Sequence, residues 1–185
     1  MTFPRRIPSG PEPSDASLIA DIRVGNTDAL GALYERHGTA LLAIAFRLLQ
    51  SVADAEDVVH DVFVGLPEAL RRYEERGALA AWLRKITARV ALAKMRAASA
   101  PEHLSLADVS EPAARQRDIE GVMALEDAMR QLTPSLRAVL VLKELEGFSH
   151  AEVAEMLHIS VGASEVRLHR AVQALRTLLS RGHGS

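Results

Sequence analysis

Between Phe148 and Arg170 the sequence runs FSHAEVAEMLHISVGASEVRLHR, and its side chains suit recognition of a polyanion better than bond cleavage. Ser149, followed three residues later by Glu152, forms a capping box that opens a short helix. Val153, Ala154 and Leu157 supply that helix with an inward face. His158 falls where the turn needs a positive backbone dihedral, a region that histidine tolerates better than most residues. Ser160 then caps a second helix, in which Val161, Leu168, Val172, Leu175 and Leu179 recur as one apolar stripe. About 200° around the helix from that stripe stand Ala163, Val166 and Arg170, flanked by Glu165, Arg167 and His169, with Gly162 in the first turn. Two short helices joined in this way predict a helix-turn-helix whose second helix fits a DNA major groove.

Two further faces carry charge at helical spacing. Asp54, Glu56, Asp57, His60 and Asp61 crowd one side of a segment whose other side is Val58, Val59, Val62, Phe63 and Leu66. Lys85, Arg89 and Arg96 recur beside the stripe Leu79, Leu83, Ile86 and Val90, with Arg84 and Lys94 close by. A sustained basic helix face is an electrostatic footprint for phosphates. Trp82 lies one position off the stripe, where it can pack or stack on a base.

Catalysis finds little support in the residue types. Asp57 with His60, and Glu56 with His60, have spacings used by metal sites, but a di-iron bundle needs its motif twice with further carboxylates. The histidines, among them His150, His158 and His169, form no ligand-spaced set. There is no phosphate-cradling glycine loop and no nucleophile elbow. We expect no catalytic residue, no metal and no cofactor.

The elements that must hold these faces are helical. The 185 residues are rich in Leu, Ala, Arg and Glu, aromatic residues make up 4%, and no alternating β-branched run occurs. That composition predicts an all-α protein of one medium domain or two small ones. With no cysteine there is no disulfide framework or thiolate site, which fits a reducing, cytoplasmic setting. No apolar run approaches the roughly 20 residues that span a bilayer, so membrane insertion is not expected. The net charge of −2 is low for a DNA binder, which predicts modest affinity alone and a need for a partner.

In chain order, the Pro-rich residues 1–13 predict a disordered tail. Helical patterning starts at Ser14/Asp15 and breaks at Gly25-Asn26; a second helix follows from Asn26 or Thr27, with Gly38 as an interruption. ALLAIAFRLLQ, apolar nearly all round, should be central in a bundle. The acidic segment after Ser51 should kink or break at Gly65 and Pro67. The basic helix covers 78–98, and 99–117, with Pro101 and Pro112, reads as a flexible linker. Helicity resumes through Leu125, Met129 and Leu132, restarts after Thr133-Pro134 and stops at Gly147, ahead of the helix-turn-helix. The expected organisation is two small helical domains, 14–98 and 118–181.

With both halves in view, the chain resembles sigma factors of the sigma-70 family, specifically the short extracytoplasmic-function type that keeps only sigma regions two and four. DALGALYERHG, ADAEDVVHDVF and RGALAAWLRKITARVALAKMR carry the resemblance to region two. LEDAMRQLTPSLRAVLVLKELEGFSHAEVAEMLHIS and VGASEVRLHRAVQALR carry that to region four. The resemblance implies a transcription initiation subunit rather than an enzyme, with core RNA polymerase and promoter DNA as partners. It implies polymerase contact at Asp54, Glu56, Asp57, His60 and Asp61. It implies minus-10 recognition and strand opening at Trp82, Arg84, Lys85, Arg89, Lys94 and Arg96. Minus-35 recognition would fall to Ser160, Gly162, Ala163, Glu165, Val166, Arg167, His169 and Arg170. Together with the long linker, it also implies an anti-sigma factor wedged between the domains.

Several positions depart from the common family wording. Arg89 stands where Asn is frequent, Ala93 where Asp is frequent, and Pro67 where a large aromatic is usual. Ala163, Ser164, Glu165 and Val166 replace Thr, Val, Lys and Ser. Glu165 could accept from a cytosine and Val166 pack on a thymine methyl, so the swaps bear on promoter sequence, not on the class of function. Two rival classes stay open at this point. A free-standing helix-turn-helix regulator with an N-terminal sensing bundle would bind duplex DNA without polymerase, and a helical adaptor would bind protein only.

Overall fold

A computed structural model describes residues 13–74, 78–98 and 119–182, with the side chains of 119–124 and 181–182 left aside. The expected tail, apart from Pro13, and the expected linker lie outside the described residues. The described elements are helices: α1 (Asp15–Arg23), α2 (Thr27–Leu49), α3 (Val52–Arg71), α4 (Leu79–Ala98), α5 (Ile119–Gln131), α6 (Pro134–Leu140), α7 (His150–Leu157) and α8 (Val161–Gly182). A π-helical turn, Val141–Leu145, prolongs α6. The expectation of an all-α chain holds, and among the described residues no helix is long and apolar enough to cross a membrane.

Helix α2 is the hub, packing on α1, α3, α4 and α6. Leu33, Leu41, Ile44, Ala45 and Leu48 are all buried along it. The Asn26 side chain caps it by accepting from the Asp28 amide at 3.0 Å. Gly38 does not interrupt it. The helix runs straight through, and a Cβ at Gly38 would stand 3.5 Å from the Tyr34 ring. A mid-helix glycine costs about 1 kcal/mol against alanine. Burying each flanking Leu or Ile returns about 1.5–3 kcal/mol, so packing wins.

The same reasoning corrects α3, which continues across Gly65 and Pro67 instead of breaking. Pro67 has no amide to offer the Phe63 carbonyl, yet Leu66 and Leu70 on either side are fully buried and hold the helix together. Arg23 completes its C-terminal end, donating through Nε and Nη2 to the Leu70 carbonyl at 3.1 and 3.0 Å.

In α4 the buried line begins at Leu79 and Leu83 as expected, then follows Thr87, Ala88, Ala91 and Leu92. Ile86 and Val90 are only half-buried. The buried Thr87 hydroxyl is satisfied by donating to the Leu83 carbonyl at 2.9 Å.

The C-terminal half is built on α6 and α8, with Ala138, Val139 and Leu142 packed in one core with Val153, Met156 and Ala171. That core is continuous with the α1–α4 core. Arg137 helps join them. It is buried, donating through Nε to the Leu48 carbonyl at the end of α2 (3.2 Å) and through Nη1 to the Leu132 carbonyl (3.1 Å). Burial lowers its pKa from the ordinary arginine value.

Candidate functional site

The helix-turn-helix is assembled by its caps. Ser149 Oγ accepts from the Glu152 amide at 3.2 Å, while Glu152 Oε2 accepts from the Ser149 amide at 3.0 Å, which closes the capping box. These bonds, first the Ser149 amide and then its hydroxyl, hold the Glu152 carboxyl below its ordinary pKa, with Lys85 helping. His158 adopts φ 53°, ψ 47°, the left-handed conformation the turn requires. Ser160 Oγ then accepts from the Ala163 amide at 3.1 Å to start α8.

On α8 the outward set is open. Ser160, Gly162, Glu165, Val166, His169 and Arg170 are exposed, with Val166 at 51%, while Ala163 and Arg167 are half-buried. The inward set differs from the expected stripe, since Val161 is 44% exposed and the two fully buried positions are Ser164 and Ala171. Ser164 faces α7, where its Oγ lies 2.9 Å from His150 Nδ1. Its hydroxyl needs that partner because burying one without a hydrogen bond is costly. Helical spacing could have revealed Ser164, since it lies three residues after Val161 and four before Leu168, but a serine does not register as apolar.

The acidic residues share the outer face of α3, with Glu56, Asp57, His60 and Asp61 exposed and Asp54 half-exposed. They are not all solvated carboxylates. Lys94 of α4 reaches Asp54 at 2.9 Å and Asp57 at 2.8 Å. The hydrogen bond from Lys94, then that from Ser51, keeps the Asp54 carboxyl below its ordinary value, and the Lys94 ammonium is correspondingly raised. Beside this face His60 lines an open cleft of about 350 Å³ with Leu30, Tyr34, Phe63 and Val64. Tyr34 and Phe63 meet edge to face there, with ring centroids 5.0 Å apart.

The basic face of α4 is paired with α7 while staying partly open to solvent, with Arg89 and Arg96 exposed and Lys85 half-buried. Lys85 Nζ reaches Glu152 Oε1 at 3.4 Å, Arg89 Nη2 reaches Glu155 Oε1 at 2.6 Å, and Arg96 Nη1 donates to the Met156 carbonyl at 3.3 Å. All three partners lie on α7. Arg84 acts on Glu146, whose carboxyl is pushed up by burial and pulled back by Arg47 and Arg84; Arg47 Nη1 reaches it at 3.2 Å. Trp82 packs on Tyr73, ring centroids 4.6 Å apart, so its ring is half-covered within its own half. None of these long-range partners was legible from spacing, because each pairing joins positions far apart in sequence.

Comparison with known proteins bears on the whole assembly. The sigma-70 region 2 family matches residues 33–100, and the sigma-70, region 4 family matches residues 122–175. The chain belongs to the sigma-70 family. Membership makes it an RNA polymerase sigma factor of the extracytoplasmic-function type, a DNA-binding subunit for promoter-specific transcription initiation. It is 30% identical over 168 residues to the ECF RNA polymerase sigma factor SigM of Mycobacterium tuberculosis, covering 91% of this chain and 86% of that protein. It is 32% identical to the RNA polymerase sigma factor CnrH of Cupriavidus metallidurans, covering 91% of this chain and 96% of that protein. A solved structure of CnrH in complex with the cytosolic domain of CnrY matches with TM-score 0.56 at 30% identity, over 89% of this chain and 96% of that one. The sigma factor RpoE from Bartonella quintana, solved with the anti-sigma factor NepR, shares the fold with TM-score 0.61 at 23% identity, over 80% of this chain and 94% of that one.

Proposed function

We propose that this sigma factor divides its work among three helix faces. The outer face of α3, through Asp54, Glu56, Asp57, His60 and Asp61, docks core polymerase; carboxylates over an apolar cleft suit a basic, helical partner. Helix α4, through Trp82, Arg84, Lys85, Arg89, Lys94 and Arg96, holds the minus-10 element, its cations serving phosphates and its aromatic ring an extruded base. Helix α8 reads the minus-35 element from Ser160, Gly162, Ala163, Glu165, Val166, Arg167, His169 and Arg170. In domain terms, 14–98 is region two, 118–181 region four, 99–117 the tether between them and 1–13 a tail. The protein works in the cytoplasm as a non-enzymatic subunit. An anti-sigma factor is its third partner, a proposal supported by the CnrH–CnrY complex, in which a 30% identical relative is bound by another protein.

The observation that carries the polymerase assignment is the exposed acidic end of α3. Asp61 there has no ion pair among the described residues, so its charge is available to a partner. Asp61→Lys should abolish capture by immobilised core polymerase while leaving the thermal unfolding midpoint unchanged. Undiminished capture would remove α3 from the polymerase interface.

A further inference from the structure

The reading end of α8 is seated on the rest of the protein at few points. From Val161 to Arg170 six residues are exposed, Ala163, Arg167 and Leu168 are half-buried, and Ser164 alone is fully buried. The next buried position is Ala171, about two turns on. The side chain that seats this end is therefore polar. Ser164 Oγ lies 2.9 Å from Nδ1 of His150, the first residue of α7, and makes no other hydrogen bond among the described residues. A buried hydroxyl without an acceptor is costly, so Ser164 donates to Nδ1 and the ring carries its own proton on Nε2.

Both partners stand on fixed backbone. His150 directly follows Ser149, whose capping box with Glu152 sets the start of α7. Ser164 lies in the first turn of α8, its amide donating to the Ser160 carbonyl at 3.0 Å, and it stands between Ala163 and Glu165 of the outward set. Apolar contact is non-directional, whereas a hydrogen bond weakens steeply outside a narrow range of distance and angle. The bond between α7 and α8 thus opposes rolling of α8 about its own axis. A roll of about 10° carries a side-chain tip about 5 Å from the axis through about 1 Å. Hydrogen bonds to base edges, about 2.7–3.2 Å long, do not survive such a shift.

We propose that His150 is a positioning residue for minus-35 recognition: through Ser164 it fixes the roll of α8, and with it the base preference of Glu165, Val166 and Arg170. The proposal rests on the assignment of α8 to the minus-35 element. A merely structural His150 would change how much of the protein is folded and leave the preferred sequence as it was.

The test uses core polymerase reconstituted with the full chain on promoters randomised at the minus-35 and minus-10 elements, with the transcripts sequenced. His150→Phe keeps a ring and removes the acceptor. Ser164→Ala removes the hydroxyl without leaving it orphaned, and alanine favours the helix, so this variant keeps the test open if His150→Phe fails to fold. Each should lower the preference for the favoured minus-35 sequences about fivefold, the worth of about one hydrogen bond, and leave the minus-10 preference unchanged. The two together should do no more than either alone. His150→Asn, which offers Oδ1 as an acceptor in place of Nδ1, should restore the parental preference.

An unchanged minus-35 preference with Ser164→Ala, a parallel loss at both elements, or additive effects of the two substitutions would overturn the positioning role. Arg170→Ala separates that outcome from failure of the underlying assignment. If Arg170→Ala shifts the minus-35 preference and Ser164→Ala does not, α8 remains the reading helix and His150 loses its role. If Arg170→Ala also leaves the preference unchanged, the assignment of α8 falls and the proposal falls with it.

Discussion

Helices α4 and α8 carry similar cations and present them in opposite ways. On α8, His169 and Arg170 stand exposed beside Glu165 and Val166. On α4, Lys85, Arg89 and Arg96 are matched to α7, and Lys94 is matched to α3. The contrast shows that a basic stripe in a sequence specifies a binding capacity and not its availability. What decides availability is tertiary: the occupied helix lies between a carboxylate-bearing neighbour in its own half and another from the opposite half.

Removing Arg137 should break this arrangement most strongly. Its buried guanidinium serves the Leu48 and Leu132 carbonyls, one in each half, and no carboxylate pairs with it among the described residues. Arg137→Met should leave both carbonyls unsatisfied and cost about 3 kcal/mol in denaturant unfolding, since hydrogen bonds from a charged donor are worth about 1.5–3 kcal/mol each. Stability within about 0.5 kcal/mol of the parent would show that water or a rearranged partner serves those carbonyls instead.

A smaller effect should separate the two helices proposed to bind DNA. Ser149→Ala removes the capping-box hydroxyl of α7 and should cost about 1 kcal/mol. Because α7 supports α8 and also covers α4, the variant should lose duplex affinity at α8 while gaining single-strand affinity at α4. A parallel fall in both would mean that α7 does not shield α4.

Much of this architecture was legible in the sequence, and the reasons are local. Caps at Ser14, Asn26, Ser51, Ser149 and Ser160 use donors within three residues, and His158 answers the demand of one turn. The expected interruption at Gly38 and break at Pro67 came from weighing intrinsic helix preference above burial of Leu33, Leu41, Leu66 and Leu70. The buried Arg137 and Ser164 carry polar side chains that a hydrophobic period does not register, and their partners are set by three-dimensional packing. The cover over the α4 cations is of the same kind, with Arg89 and Glu155 separated by 66 positions.

The smallest expected effect concerns the bridge between α3 and α4. Asp54 is held below its ordinary pKa, so its contribution is present above the unfolded carboxylate range and is lost as pH falls through the depressed folded value. Lys94 is raised, so its contribution is present below the ordinary lysine value and is lost as pH rises through the elevated one. Stability from this bridge should therefore be flat across neutral pH. Lys94→Met should cost at most about 1 kcal/mol there, as expected of largely exposed pairs, and the cost should vanish in strong acid. A cost that persists in strong acid would assign Lys94 a packing role instead.

The central claim is that three helix faces of one chain join polymerase to two promoter elements, and transcription in vitro tests it most directly. Core polymerase free of other sigma factors would be assayed on a promoter library with this protein, with Asp57→Lys/Asp61→Lys, and with Arg170→Ala. The account predicts transcripts that require the protein, vanish with the α3 variant, and with the α8 variant lose their dependence on the minus-35 sequence. Transcripts that survive the α3 variant undiminished, or a parent protein that shifts duplex DNA yet starts no transcript, would contradict it.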